Sequence, residues 1–286
     1  MPDISLPLGL LKKPIEAVGA LALGESKTLF ARLKAEKNLK TLYQKLNSTQ
    51  RVKTIWNVDR PISLNSFYYP AKIRGSTGNA QTIAGLNELP SNAVVLSGTV
   101  GQGKSILLRH LVGKEIRSGE RVPLLIELRR IADGHLYEYI KSTFAELMDV
   151  KRQPDIFDAF AASGRVSLLL DGFDEVDPEQ QQMITAGIES LATRFPSARI
   201  VVTSRPQSGI ENSPLFDVVY VAPLEDRDLP DFFCEDSSAR QTTRYTHRNS
   251  GTRLPHQRED THVNTVAGNS SNDCLPGAST CPRRFC

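Results

Sequence analysis

The segment Gly98-Thr99-Val100-Gly101-Gln102-Gly103-Lys104-Ser105 limits what this chain can fold into more than any other. It places two glycines with four residues between them ahead of Lys-Ser, the pattern of a phosphate-binding loop. A short apolar run, Ala93 to Leu96, precedes it, and Ile106, Leu107, Leu108, Leu111 and Val112 follow at helical spacing. In such a strand, loop and helix, backbone N–H groups converge on phosphate oxygens and the helix N-terminus favours negative charge. All eight residues are therefore expected to bind phosphate. Lys104 is suited to reach the β and γ phosphates, and the Ser105 hydroxyl to coordinate Mg²⁺.

The surrounding pattern specifies a sheet. Apolar runs recur at Val122 to Leu128, Val166 to Leu170, Ile200 to Thr203 and Val218 to Val221, separated by helical stretches near 135–148, 155–162 and 178–195. Five strands alternating with helices predict an α/β fold whose mostly parallel sheet is covered by helices. Gly119 is placed to end the helix after the loop. Asp177, Pro178 and Gln180 form a start signal for the helix at 178.

Two further strand ends carry chemistry. Ser167-Leu168-Leu169-Leu170 runs into Asp171-Gly172-Phe173-Asp174-Glu175, an acid cluster at the carboxyl end of a buried strand, where open α/β sheets bind ligands. Asp171 is expected to hold the Mg²⁺ shell, and Asp174 or Glu175 to orient or deprotonate an attacking water. Ile200-Val201-Val202 ends in Thr203-Ser204-Arg205, whose hydroxyl or guanidinium is placed to read a γ-phosphate. Phe67, Tyr68 and Tyr69 could pack on a base, but an aromatic cluster at β spacing reads first as core. The guanine-reading Asn-Lys-x-Asp pattern is absent, which favours ATP over GTP.

The order of phosphate loop, Asp171-Gly172-Phe173-Asp174-Glu175 and Thr203-Ser204-Arg205 resembles the NACHT family of STAND-class P-loop NTPases, of the bacterial NOD-like-receptor-related type. Val122-Pro123-Leu124-Leu125-Ile126-Glu127-Leu128-Arg129 also looks like that family's second strand. The resemblance covers about residues 90–233. It implies a regulated switch, with nucleotide held in a closed resting state and exchange or slow hydrolysis linked to self-association through the core, often in defence signalling. Family members add helical and winged-helix modules and a repeat sensor, and the sequence after Phe233 reads as none of these.

Residues 1–60 read as a basic helical region, with an amphipathic helix over 26–48, and 61–90 as a lead-in with short strands that include Ser66 to Pro70. From Lys27 to Lys53 there are eight Lys or Arg against the single acid Glu36. A solvated face explains this better than a nucleic-acid surface. Residues 91–233 form the expected core. The last 53 residues, 234–286, hold no lysine, five large aliphatic or Phe side chains and all four cysteines, and are expected to be a disordered tail, out of frame or otherwise unnatural. Their Cys and His spacings match no zinc pattern. No apolar run is long enough for a membrane span, since Leu6 to Leu23 is broken by Lys12, Lys13 and Glu16. Nothing at the start reads as a secretory signal, so the expected compartment is the cytoplasm.

Two other readings use the same residues. One is a small-molecule kinase on this phosphate loop, although no acceptor pocket or arginine-bearing lid is legible. The other is a truncated remnant that binds nucleotide weakly.

Overall fold

Strands built from residues that are apolar on both sides need cover on both sides, and the computed structural model shows how this chain supplies it. The structure describes residues 5–21, 26–54, 57–75, 78–150 and 155–223. These belong to one unit, Met1–Tyr245; a second unit, Thr246–Cys286, lies outside the described residues, as do the expected tail and the sequence around Asp228 to Phe233.

In chain order the elements are α1 (Ser5–Gly19), α2 (Ser26–Leu33), α3 (Glu36–Ser48), β1 (Arg51–Thr54), β2 (Asn57–Ser63), β3 (Lys72–Arg74), β4 (Gln81–Thr82), β5 (Ala93–Ser97), α4 (Lys104–Ser118), β6 (Val122–Glu127), α5 (Leu136–Leu147), α6 (Ile156–Ala162), β7 (Val166–Asp171), α7 (Pro178–Arg194), β8 (Arg199–Ser204) and β9 (Asp217–Val221). The main sheet runs β4-β3-β9-β5-β8-β7-β6. Its five strands from β9 to β6 are parallel, as the alternation of strands and helices predicts, and β3 and β4 add an antiparallel edge. β1 and β2 form a separate antiparallel hairpin.

β5 and β8 are neighbours whose onward connections leave in opposite directions, one toward β6 and the other across β5 to β9. That reversal opens a crevice beyond their carboxyl ends, where ligands of open α/β sheets bind. The register puts Ser97 beside Ser204, and Glu127 beside Asp171, so the ends of β5, β8, β7 and β6 form one rim.

The N-terminal helices share the core of the sheet domain. The periodicity that predicted one helix over 26–48 resolves into α2 and α3, because Ala35 is extended and starts α3 afresh. Phe30, Leu33, Leu39, Leu42 and Leu46 stay buried across the break. Phe30 packs on Phe160 of α6, which belongs to a group of rings with Phe144, Phe157 and Phe195. Lys45 donates from α3 to the Glu146 and Leu147 carbonyls at the end of α5, where a cation meets unsatisfied acceptors. α1 lies against α4 so closely that a Cβ on Gly119 would sit 2.6 Å from the Leu10 carbonyl oxygen. Gly119 also has φ +65° as the left-handed cap of α4, so that position needs glycine twice over.

Ser66 to Pro70 is not the strand expected. A single 3₁₀ turn at Leu64–Ser66 is followed by irregular chain, and Tyr68 stacks on His110 of α4, with ring centroids 3.8 Å apart. At the opposite end of the sheet from the crevice, Glu115 is 3% exposed, takes two hydrogen bonds from Arg121 Nη1 and accepts from the Ser167 hydroxyl at 2.8 Å. A buried carboxylate so placed is tolerable because its oxygens are paired.

Candidate functional site

The loop leaves β5 through Gly98, whose N–H donates to the Ser204 carbonyl of β8. Gly101 and Gly103 then take φ of +81° and +77°, values that turn the backbone inward and that side-chain-bearing residues rarely adopt. Gln102 steadies the turn by accepting the Thr99 N–H at 2.7 Å. The first helical N–H bonded within this loop and helix is that of Leu107, to the Gly103 carbonyl. The N–H groups of Gly101, Gly103, Lys104 and Ser105 have no acceptor among the described residues. An α-helix leaves such donors open, and here they collect at one point.

Lys104 lies across the loop and donates to the Gly98 and Thr99 carbonyls at 2.5 and 3.1 Å. Burial pushes its ammonium below the usual range, against the attraction of Asp174. Ser105 is exposed.

From the acid side, Asp171 ends β7 and accepts the Thr203 hydroxyl at 2.6 Å; the same hydroxyl accepts the Gly172 N–H at 2.8 Å. The Thr203 hydroxyl is thus engaged by its neighbours, and the Ser204 hydroxyl is buried with no hydrogen-bond partner among the described residues. Asp174 is held by Arg205 twice, through Arg205 N–H at 3.1 Å and Nε at 2.7 Å. Glu175 accepts from Arg129 Nη1 through Oε2, at 3.0 Å.

One cavity of about 370 Å³ is lined by Val100, Gly101, Gly103, Lys104, Ser105, Asp171, Asp174, Glu175, Thr203 and Arg205 among others. A second cavity of about 620 Å³ adjoins it, sharing Val100, Gly101, Gly103 and Ile106. Phe67, Tyr68 and Tyr69, expected in the core, are half-buried and line this second space together with Thr99, Gln102 and Val221. Of the predicted site residues, Gly98 alone lines neither cavity; it anchors the loop to β8.

Among the described residues no group of three His, Cys, Asp or Glu side chains is placed to hold a metal unaided. Mg²⁺ takes one or two protein oxygens and completes its shell with phosphate and water. Ser105 and Asp171 offer a hydroxyl and a carboxylate to the same cavity. No described helix is long and apolar enough to cross a membrane.

Sequence reasoning missed two arrangements: the Thr203 grip on Asp171, and the link from Glu175 through Arg129 to Glu127. Glu127 and Arg129 at a strand end were visible, but which strand lies beside them was not.

No curated protein matches the chain. The family model described as NACHT domain matches residues 92–239. The match takes in the phosphate loop, both acid-bearing strand ends and Arg205, and spans just over half of the chain, which therefore belongs to the NACHT domain family of nucleotide-binding P-loop NTPases.

Proposed function

We propose that this chain binds ATP with Mg²⁺ and hydrolyses it slowly, as the nucleotide switch of a signalling protein. The observation that supports the reading best is the shared cavity in which open amides, Lys104, Ser105 and Asp171 face one another. The adjoining space, with its aromatic wall, has the size and character for a base. ATP rather than GTP fits the absence of a guanine-reading motif.

In this reading the amides from Gly101 to Ser105 cradle the phosphates, and Lys104 leaves the Gly98 and Thr99 carbonyls to neutralise the β and γ oxygens. Ser105 and Asp171 hold Mg²⁺, which supplies further charge neutralisation on those oxygens. Of the two acids expected to orient water, Glu175 is the better placed. Both Asp174 oxygens are engaged by Arg205, while Glu175 has one oxygen paired and the other without a partner among the described residues. Arg205 meets a γ-phosphate after releasing Asp174, so the charge that stabilises the transition state is stored on an acid beforehand. A cytoplasmic location, expected from the sequence, and self-association through the core and a part in defence signalling, suggested by the family resemblance, are proposed with it.

Thermal unfolding of the full chain with millimolar Mg·ATP tests the reading. A ligand bound only by the folded state must raise the midpoint, and Lys104→Ala removes the rise. No rise for a folded wild type, or a rise retained by Lys104→Ala, overturns it. Phosphorylated product appearing with an added acceptor would favour the kinase instead.

A further inference from the structure

Of Asp174 and Glu175, Glu175 is the one with an oxygen that has no partner among the described residues, yet its own position is set from another strand. Arg129 follows β6 and donates Nη1 to Glu175 Oε2 at 3.0 Å and Nη2 to Glu127 Oε2 at 3.2 Å. Glu127 ends β6 as the register partner of Asp171 and also accepts from Arg130 Nε at 3.0 Å. Its other oxygen faces Arg109 Nη2 of α4 at 3.6 Å, and Arg109 Nη1 donates to the Thr49 carbonyl just after α3. On its other flank Glu175 lies against Gly172, where an added Cβ would sit 3.2 Å from Glu175 Cδ.

From this geometry we infer that Arg129 is a positioning residue for Glu175, with Glu127 as the brace that fixes Arg129. The inference rests on the proposed hydrolysis and adds to it the group that aims its water-orienting carboxylate.

Exposure decides why the brace is needed. Arg129 and Glu175 are 58% and 46% exposed, and a lone pair so placed is screened and holds little. Glu127 is 21% exposed and gathers three arginines into a network, which loses less side-chain freedom for each contact than a separate pair does. Burial raises the Glu127 carboxyl, but hydrogen bonds from Arg130 and Arg129 outweigh this and hold it below its usual range. The guanidinium of Arg129 is likewise held above its range, by its hydrogen bond to Glu127 first and by Glu175 next. Arg129 takes one Glu175 oxygen and leaves the other for water, so its planar fork fixes direction without occupying the whole carboxylate. Lysine, a single point charge, reaches one acid or the other but does not join them in one plane.

Two readouts on the 286-residue chain test this. In the first, ATP turnover by Arg129→Gln falls about tenfold in kcat with KM unchanged, the scale of a displaced acid–base group; Arg129→Lys recovers part of the loss and Glu127→Gln reproduces part of it. In the second, carbodiimide and glycine ethyl ester label Glu175, read by peptide mass spectrometry against exposed Glu179. Labelling of Glu175 rises about two- to fivefold in Arg129→Gln, the occupancy change of a weak exposed pair. If the wild type neither binds nor hydrolyses ATP, the proposed function fails, and the labelling still decides whether Arg129 holds Glu175. Unchanged labelling overturns the inference, as does unchanged kcat in a wild type that turns over ATP.

Discussion

The hydroxyl of Thr203, on β8, donates to Asp171 Oδ1 at 2.6 Å while accepting the N–H of Gly172, so the acid at the end of β7 is aimed by the strand between it and the phosphate loop. Thr203→Val keeps the shape and removes the donor. Nucleotide binding at limiting Mg²⁺ is expected to weaken about tenfold, the effect of losing a hydrogen bond behind a metal ligand, while binding without Mg²⁺ changes little. A titration of Mg²⁺ at fixed nucleotide checks this. Equal loss with and without the ion would show that Thr203 acts on the loop instead.

The contact between α1 and α4 is tested at Gly119. Alanine there meets a left-handed backbone and the Leu10 carbonyl at 2.6 Å, and neither obstacle is a flexible side chain. Gly119→Ala is expected to cost about 2 kcal/mol in urea unfolding, more than the strain of the backbone alone. A cost under about 0.5 kcal/mol, the scale of an ordinary surface change, would mean that α1 does not lie as described.

Glu115 is nearly inaccessible and holds Arg121 and Ser167. Removing one partner of a buried pair leaves the other charge uncompensated, so Glu115→Ala should destabilise by about 3 kcal/mol. Replacing Glu115 and Arg121 together with apolar residues should cost less than the single change, and a double-mutant cycle reads the difference.

Burial, reinforced by Lys114 and Arg117, pushes His110 down from 6.5 to about 4. Between those values the unfolded chain takes up a proton that the folded chain refuses, so stability is kept above pH 6.5 and lost as pH falls toward 4. With a discount for the ring's partial exposure, the loss is on the order of 1 kcal/mol. His110→Phe keeps a ring against Tyr68 and removes the proton site. Its urea midpoint should therefore change less between about pH 7 and about pH 5 than that of the wild type. The same dependence in both proteins would place the titrating group elsewhere.

The five parallel strands were legible because each is apolar on both faces, a pattern that asks for helices above and below. The helix at 178 was legible from its cap: Asp177 accepts the Glu179 N–H, although Gln180 turns away to the Ala132 carbonyl and does not complete a capping box. α1 lies within the stretch read as helical, but its own bounds were not legible, since Pro14 and two lysines interrupt its apolar run, and packing on α4 overrides them. The break between α2 and α3 falls at Lys34 and Ala35, good helix formers that give no warning. At the site, residue types and their loops could be read from spacing. Their aim could not, because Thr203, Arg129 and Glu127 act across strands, and strand order is set by long-range packing that no local pattern encodes.

The pairing of Ile73 with Val221 and Arg74 with Tyr220 has a practical side. β3 and β4 seal the flank of β9, which would otherwise present a row of bare N–H and C=O groups to any passing strand. A fragment begun at residue 92, where the family match starts, would strip that seal while keeping every phosphate-loop residue. Clumping of such a truncation would report a missing hem on the sheet, not a defect in nucleotide handling.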